Sequence, residues 1–209
     1  MSGLFIVFEG ADGCGKSTQL RFLAEYLEGR GLHVVKTREP GGCPVAEKIR
    51  EILLDNTNEE MAAETEALLY AAARAEHVRH VIKPAVDSGK VVLCDRYILS
   101  SIAYQGYGRQ LDIDTVWDIN RFAVQDYMPD VTVFLDVPPE RGFERMHRRQ
   151  ELDRLENAGM SFHQRVFDGF QKLSQRDDVM SVDASGTKFD TLDIIKERLM
   201  PLFKNAGLL

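Results

Sequence analysis

Five short apolar runs are spaced along the chain, each close to continuous rather than alternating: Phe5-Ile6-Val7-Phe8, Val34-Val35, Val91-Val92-Leu93-Cys94, Val131 to Val137 and Val179 to Val182. Such runs predict strands buried on both faces. Between them, hydrophobic residues recur at helical spacing. Leu20, Phe22, Leu23, Ala24 and Leu27 predict a helix from about Thr18, ended by Gly29 and Gly31. Val45 to Leu54 reads as a short helix, and Met61 to about Val86 as a long one that Pro84 kinks or ends. Asp114 can cap a helix running through Val124, closed off by Pro129-Asp130. Pro138-Pro139-Glu140 opens a charged helix, and a last helix starts near Thr191. Strand and helix alternate, which predicts one α/β domain over 1–209: a parallel five-stranded sheet with helices on both faces. Ligands of such sheets gather at the carboxyl ends of the strands.

The residues that follow four of the strands are therefore the first candidates. After the first comes Gly10-Ala11-Asp12-Gly13-Cys14-Gly15-Lys16-Ser17-Thr18, which fills every fixed position of a phosphate-binding P-loop. With average residue frequencies those fixed positions match by chance in roughly one chain per hundred of this length. The preceding strand and following helix make chance less adequate still. Glycines let the backbone turn its N–H groups inward, and the helix aims its positive end at the same point. Lys16 then reaches the β- and γ-phosphates of a nucleoside triphosphate such as ATP, and the Ser17 hydroxyl ligates Mg²⁺. The sheet is accordingly of the P-loop NTPase type.

Composition narrows the setting. The 209 residues carry a net charge of −7, so the surface as a whole repels nucleic-acid backbones. No apolar run approaches eighteen residues and the N-terminus carries no signal-like segment, which predicts no membrane span. The three cysteines, Cys14, Cys43 and Cys94, form no CxxC pair, so a reducing cytoplasm is the expected location.

A P-loop alone does not separate a switch from a motor or a transferase. Phosphoryl transfer needs cations that align and neutralise two phosphate groups. Arg38 and Arg96 stand at strand ends and can clamp an acceptor phosphate by bidentate hydrogen bonds; the alternatives are local pairs, Arg38 with Glu39 and Arg96 with Asp95. Asp95 follows a buried strand, where a carboxylate can sit near Mg²⁺, or else orient Arg96 or Lys16. Arg141, Arg145, Arg148, Arg149 and Arg154 lie among acidic residues, which reads either as a solvated helical face or as a mobile lid over about 141–158. Tyr70 and Arg74 share a helix face, able to stack on a base and bond its edge, or simply to pack. Tyr104 to Arg109 suits a ligand-contacting turn.

Taken in order, these stretches resemble the thymidylate kinases. The P-loop, Thr37-Arg-Glu-Pro-Gly-Gly42, Leu69-Tyr-Ala-Ala-Ala-Arg74, Asp95-Arg-Tyr97, Ser100-Ser-Ile-Ala-Tyr-Gln-Gly106, the Pro129 to Asp136 segment and Glu151-Leu-Asp-Arg154 carry the resemblance, from Leu4 to about Asp183. It implies transfer of a phosphoryl group from ATP to dTMP, giving dTDP for pyrimidine deoxynucleotide synthesis, in a homodimer. It implies that Arg38, Arg74 and Arg96 contact dTMP, Arg96 at the phosphate and Arg74 at the thymine. Tyr70 takes the place of the family's usual base-stacking phenylalanine. Asp12 approaches the 3′-hydroxyl, and Ser101, Tyr104 and Gln105 lie near sugar and base, with Tyr104 crowding the 2′ position. Where some members carry a catalytic arginine after the acidic P-loop residue, this chain has Gly13. The resemblance then assigns that charge to the lid, among Arg148, Arg149 and Arg154.

Two other readings remain at this point. A kinase for another nucleoside monophosphate or for a nucleoside is one; a neutral nucleoside hydroxyl would need a base, and Glu9 stands at a strand end. A P-loop regulatory switch is the other, although the chain has no guanine-reading Asn-Lys-x-Asp motif.

Overall fold

The computed structural model describes residues 3–137 and 153–209. Its sheet has five parallel strands in the order β2-β3-β1-β4-β5: β1 Leu4–Glu9, β2 Val34–Arg38, β3 Val91–Asp95, β4 Val131–Asp136 and β5 Val179–Asp183. Helices α1 (Lys16–Glu28) and α8 (Lys188–Asn205) cover one face. The other face carries α3 (Ala63–His77) and its extension, α5 (Ile98–Ser101), α6 (Ile113–Val124) and α7 (Met160–Leu173). The period of two along β1 decides which residue meets which layer. Leu4, Ile6 and Phe8 pack with Leu23, Leu27 and Leu199, while Phe5 and Val7 pack with Ile82, Ile102 and Phe170.

Register brings the strand ends level. Phe8 and Arg38 are both Cα partners of Asp95, so the chain leaves β1, β2 and β3 at one edge. The expected parallel sheet with two helical layers is therefore observed.

Several local expectations need correction. The long helix between β2 and β3 is divided. After α2 (Pro44–Leu54) and a 3-10 turn at Asn56–Asn58, α3 runs to His77, a π-helical turn spans Val78–Ile82, and α4 (Lys83–Asp87) follows. Pro84 lies in the first turn of α4, where its missing N–H leaves no bond unmade. The cap of α6 is Asp112 rather than Asp114, its carboxylate accepting from Thr115 N at 2.9 Å. The last helix starts at Lys188, fixed by a Thr187–Asp190 capping box. Tyr104 to Gly108 is no turn but part of a π-helical stretch, Ile102–Gly108, continuing α5. Helix α7 was missed, although Phe162, Val166, Phe170 and Leu173 bury at helical spacing. The helix expected from Pro138, together with Arg141, Arg145, Arg148 and Arg149, lies outside the described residues.

Candidate active site

Gly10 and Gly15 give the loop after β1 its shape, with φ of 141° and 103°, which other residues rarely adopt. A Cβ at Gly10 would fall 2.8 Å from both Cys14 Sγ and Leu135 O. Lys16 lies across this loop, its Nζ donating to the carbonyls of Gly10 and Ala11 at 3.0 Å each. Ser17 Oγ donates to Asp95 Oδ2 at 2.6 Å, so the two residues expected at a metal meet directly. The P-loop, Asp95 and the Ala184–Thr191 segment enclose a cavity of about 580 Å³. Its far wall, Gly186, Lys188 and Thr191, was missed by sequence reasoning. The strand-end rule, had it been applied to β5 as well, finds those residues.

Arg96 sits in the left-handed backbone region, φ 72°, held there by its N–H donating to Phe8 O at 2.9 Å. The turn aims its guanidinium back at the loop. Nη1 donates to Ser100 Oγ at 2.9 Å and Gly10 O at 3.2 Å; Nη2 donates to Asp12 Oδ1 at 2.7 Å and Tyr104 Oη at 3.1 Å. Tyr104 Oη in turn donates to Asp12 Oδ2 at 2.6 Å. Burial works to raise the Asp12 pKa, but the charges of Arg96 and Lys16 and the bonds from Tyr104 and Arg96 outweigh it, holding the carboxyl well below the usual carboxylate range. Burial also pushes the Tyr104 phenol well up, so it remains a donor. Arg96 thus pairs with Asp12 rather than with Asp95.

Glu9 is fully buried and accepts three hydrogen bonds, from Tyr97 N at 2.8 Å, Ser100 N at 2.9 Å and Ser100 Oγ at 2.6 Å. Its carboxylate closes the start of α5 and lines neither of the two cavities that meet at Arg96. It is therefore not placed to serve as a base toward an acceptor.

The second of those cavities, about 150 Å³, opens on the other side of Asp12 and Arg96, which line both. Tyr70, Arg74, Ser101, Tyr104 and Gln105 all reach it. Arg74 is 1% exposed, and four of its five N–H groups are engaged. Nε donates to Glu39 Oε2 at 2.6 Å, Nη1 to Ser101 Oγ at 2.9 Å and to Asn120 Oδ1, and Nη2 to Tyr97 O at 2.9 Å. Glu39, expected beside Arg38, instead bridges Arg74 and His77, the latter at 2.8 Å. The Tyr70 ring borders the cavity, and burial with the nearby Glu66 and Asp153 charges pushes its phenol up.

Arg38 does not line this cavity. Its guanidinium is half-exposed, pairing with Glu47 at 3.0 Å and donating to Pro40 O at 2.8 Å, because Glu47 in the first turn of α2 faces back toward β2. Arg50, on α2, does line it beside Arg74 and Arg96, and donates to Pro40 O at 3.0 Å. Nothing in the local sequence marks Arg50, whose place depends on how α2 folds back. Arg154 lines neither cavity. It is 5% exposed, its Nε donating to Leu53 O at 2.8 Å and its Nη2 lying 2.7 Å from Glu66 Oε2. Arg149 lies outside the described residues.

A family model described as Thymidylate kinase matches residues 8–194. A Thymidylate kinase of Bacillus velezensis is 48% identical over 95% of this chain and 98% of its own length. Those of Oceanobacillus iheyensis and Finegoldia magna are each 45% identical, over 95% and 93% of this chain and 92% and 98% of their own lengths.

Proposed function

The chain belongs to the thymidylate kinase family, and from that premise we propose how its residues carry the ATP-dependent phosphorylation of dTMP to dTDP. The observation that carries the proposal is the shared wall. Asp12 and Arg96 border both the P-loop cavity and the smaller one beside it, so groups bound in the two would meet at that pair. The larger cavity takes the triphosphate, with Lys16 moving from the loop carbonyls to phosphate oxygens. The smaller takes dTMP. Its base lies against Tyr70, Arg74 and Gln105, its sugar near Asp12, Ser101 and Tyr104, and its phosphate on Arg96.

The acceptor needs no general base, since a nucleotide phosphate with a second pKa of about 6 is already mostly dianionic at neutral pH. What it needs is alignment and charge neutralisation, and the Arg96 guanidinium, partly buried and oriented by four acceptors, supplies both. A nucleoside kinase would need Glu9 as its base, and Glu9 lines neither cavity, which favours the nucleotide acceptor. The contacting pair Ser17 and Asp95 offers hard oxygen donors suited to Mg²⁺. Among the described residues no group of three or more His, Cys, Asp or Glu side chains stands close enough to hold a metal, so an ion held by this pair would take its other ligands from phosphate and water. Bound there, Mg²⁺ would neutralise charge on the β- and γ-phosphates. Arg149 and its neighbours in a lid over about 141–158 would add charge to the transferred group, and Arg154, held by Leu53 O and Glu66, would tether that segment to α2 and α3. Arg38 would act by holding the Pro40 turn, or by releasing Glu47 to reach the phosphate.

We place the protein in the cytoplasm as a single-domain homodimer. Its three cysteines are free and buried, and among the described residues no helix is long and apolar enough to cross a membrane. The direct test is ADP release with dTMP, dUMP, dCMP, AMP and GMP as acceptors. Turnover is expected to be fastest with dTMP, and turnover with AMP equal to or faster than with dTMP would overturn the assignment.

A further inference from the structure

Behind the acceptor cavity lies a buried carboxylate to which neither the phosphate loop nor the acceptor contacts give a role. Glu66, in the first turn of α3, is fully buried. It accepts from Gln105 Nε2 at 2.9 Å and from Arg109 Nε and Nη2 at 3.2 and 2.9 Å, and it pairs with Arg154 at 2.7 Å. Burial opposes its charge, but the bonds from Arg109 and Gln105 and the charges of Arg109 and Arg154 prevail and keep its pKa below the ordinary glutamate value. At neutral pH it is an acceptor and nothing else.

That fixes the polarity of Gln105. An amide presents two donors at one end and an acceptor at the other, and an ionised carboxylate tolerates only the nitrogen end beside it. The oxygen end, Oε1, then has no hydrogen-bond partner among the described residues, while Gln105 is 1% exposed and lines the acceptor cavity. Arg74 lines the same cavity with one N–H not engaged. Between them, Arg74 and Gln105 thus offer the cavity one donor and one acceptor. A thymine edge offers the complement, the O4 acceptor beside the N3–H donor. Cytosine offers the reverse, an N4 amino donor beside an N3 lone pair, and would meet donor with donor and acceptor with acceptor.

Resting on the dTMP reading above, we propose that Glu66 is a positioning residue for base specificity: it holds the Gln105 amide with its oxygen toward the acceptor base, so that oxo-pyrimidines are accepted and amino-pyrimidines refused. Glu66 touches no substrate. It acts through Gln105, by denying the amide its flipped orientation.

The informative pair of acceptors is dTMP and 5-methyl-dCMP, which share the ring, the methyl group and the sugar phosphate and differ in the donor and acceptor at positions 3 and 4. In the wild type the ratio of kcat/KM for dTMP over 5-methyl-dCMP should be large. In Glu66→Gln the residue at 66 can itself accept or donate, the Gln105 amide can turn over, and the ratio should fall at least tenfold, mainly through faster use of 5-methyl-dCMP. Arg109→Gln loosens the same cluster without touching the amide and should keep the ratio within about threefold of the wild type. A folded Glu66→Gln whose ratio stays within threefold, or an Arg109→Gln whose ratio falls as far, would overturn the proposal. If the wild type itself fails to prefer dTMP, the dTMP reading falls and the proposal with it. Should Glu66→Gln not fold, ¹⁵N NMR of the wild type decides. NOEs from the Gln105 side-chain N–H pair to the Glu66 side chain should persist when dTMP is added, and their replacement by NOEs to the base would place nitrogen against it and sink the idea.

Discussion

Arg96 is pinned at both ends, its backbone N–H on Phe8 and its guanidinium on Gly10, Asp12, Ser100 and Tyr104. A side chain held this way arrives at the acceptor phosphate already oriented, and little ordering is left to do when substrate binds. Replacing it by alanine removes that charge from the reacting groups and leaves the Asp12 carboxylate without its closest cation. We expect Arg96→Ala to lower kcat/KM for dTMP by about 100-fold or more, in line with losses of roughly 10²–10³ for deleting one preorganised donor. Near-normal kcat/KM in a folded variant would take Arg96 out of the acceptor site. The importance of this residue is readable from its place after a buried strand. Its partner is not. The sequence offers Asp95 next door, whereas the left-handed backbone swings the side chain away to Asp12, 84 positions earlier. Arg50 and Glu66 were hidden for the same reason, since each acquires its meaning from elements far off in the chain.

At the scale of elements, the acceptor wall depends on α5 and its π-helical continuation, which carry Ser100, Ser101, Tyr104 and Gln105. π-helical turns are uncommon and tend to mark functional sites. The segment is short, so its start must be fixed from outside, and Glu9 does this by accepting the N–H groups of Tyr97 and Ser100. Glu9→Ala would leave two buried backbone N–H donors unmet at about 1–3 kcal/mol each, while the Ser100 hydroxyl can rotate away. Denaturant unfolding should therefore show a loss of roughly 2–6 kcal/mol, accompanied by a raised KM for dTMP. Glu9→Gln retains an acceptor and should lose less than half as much. A loss under about 0.5 kcal/mol for the alanine variant would mean that α5 does not rely on Glu9. A buried glutamate at a strand end cannot be told from a catalytic base by sequence. What separates them is the direction of the neighbouring N–H groups, which follows from the path of the chain after Arg96. Strands and the P-loop were legible because their signals are local: continuous apolar runs and fixed spacing. Helix α7 carries the same kind of signal in Phe162, Val166, Phe170 and Leu173, and was within reach.

For the whole molecule, α2 and α3, which help build the acceptor wall, and α6 beside them also carry exposed apolar residues. Val45 and Ile52 on α2, Leu68 on α3 and Phe122 on α6 are 49%, 47%, 57% and 87% exposed, and α3 packs against both α2 and α6. Single exposed apolar residues are ordinary; several on helices packed side by side are what a second copy would cover. Helix α3 also carries Tyr70 and Arg74, so covering its outer face would stiffen the wall that holds the base. Each chain has a mass of 23.7 kDa, and the wild type should sediment at about twice that at micromolar concentration. The double variant Leu68→Glu with Phe122→Glu places charges on that face and should sediment as a monomer of unchanged circular dichroism. Its KM for dTMP should rise while its affinity for ATP changes little, because the P-loop cavity lies across the sheet edge, lined by α1 and the start of α8. A wild type that sediments as a monomer, or a double variant that still sediments as a dimer, would move the interface off this face or remove it.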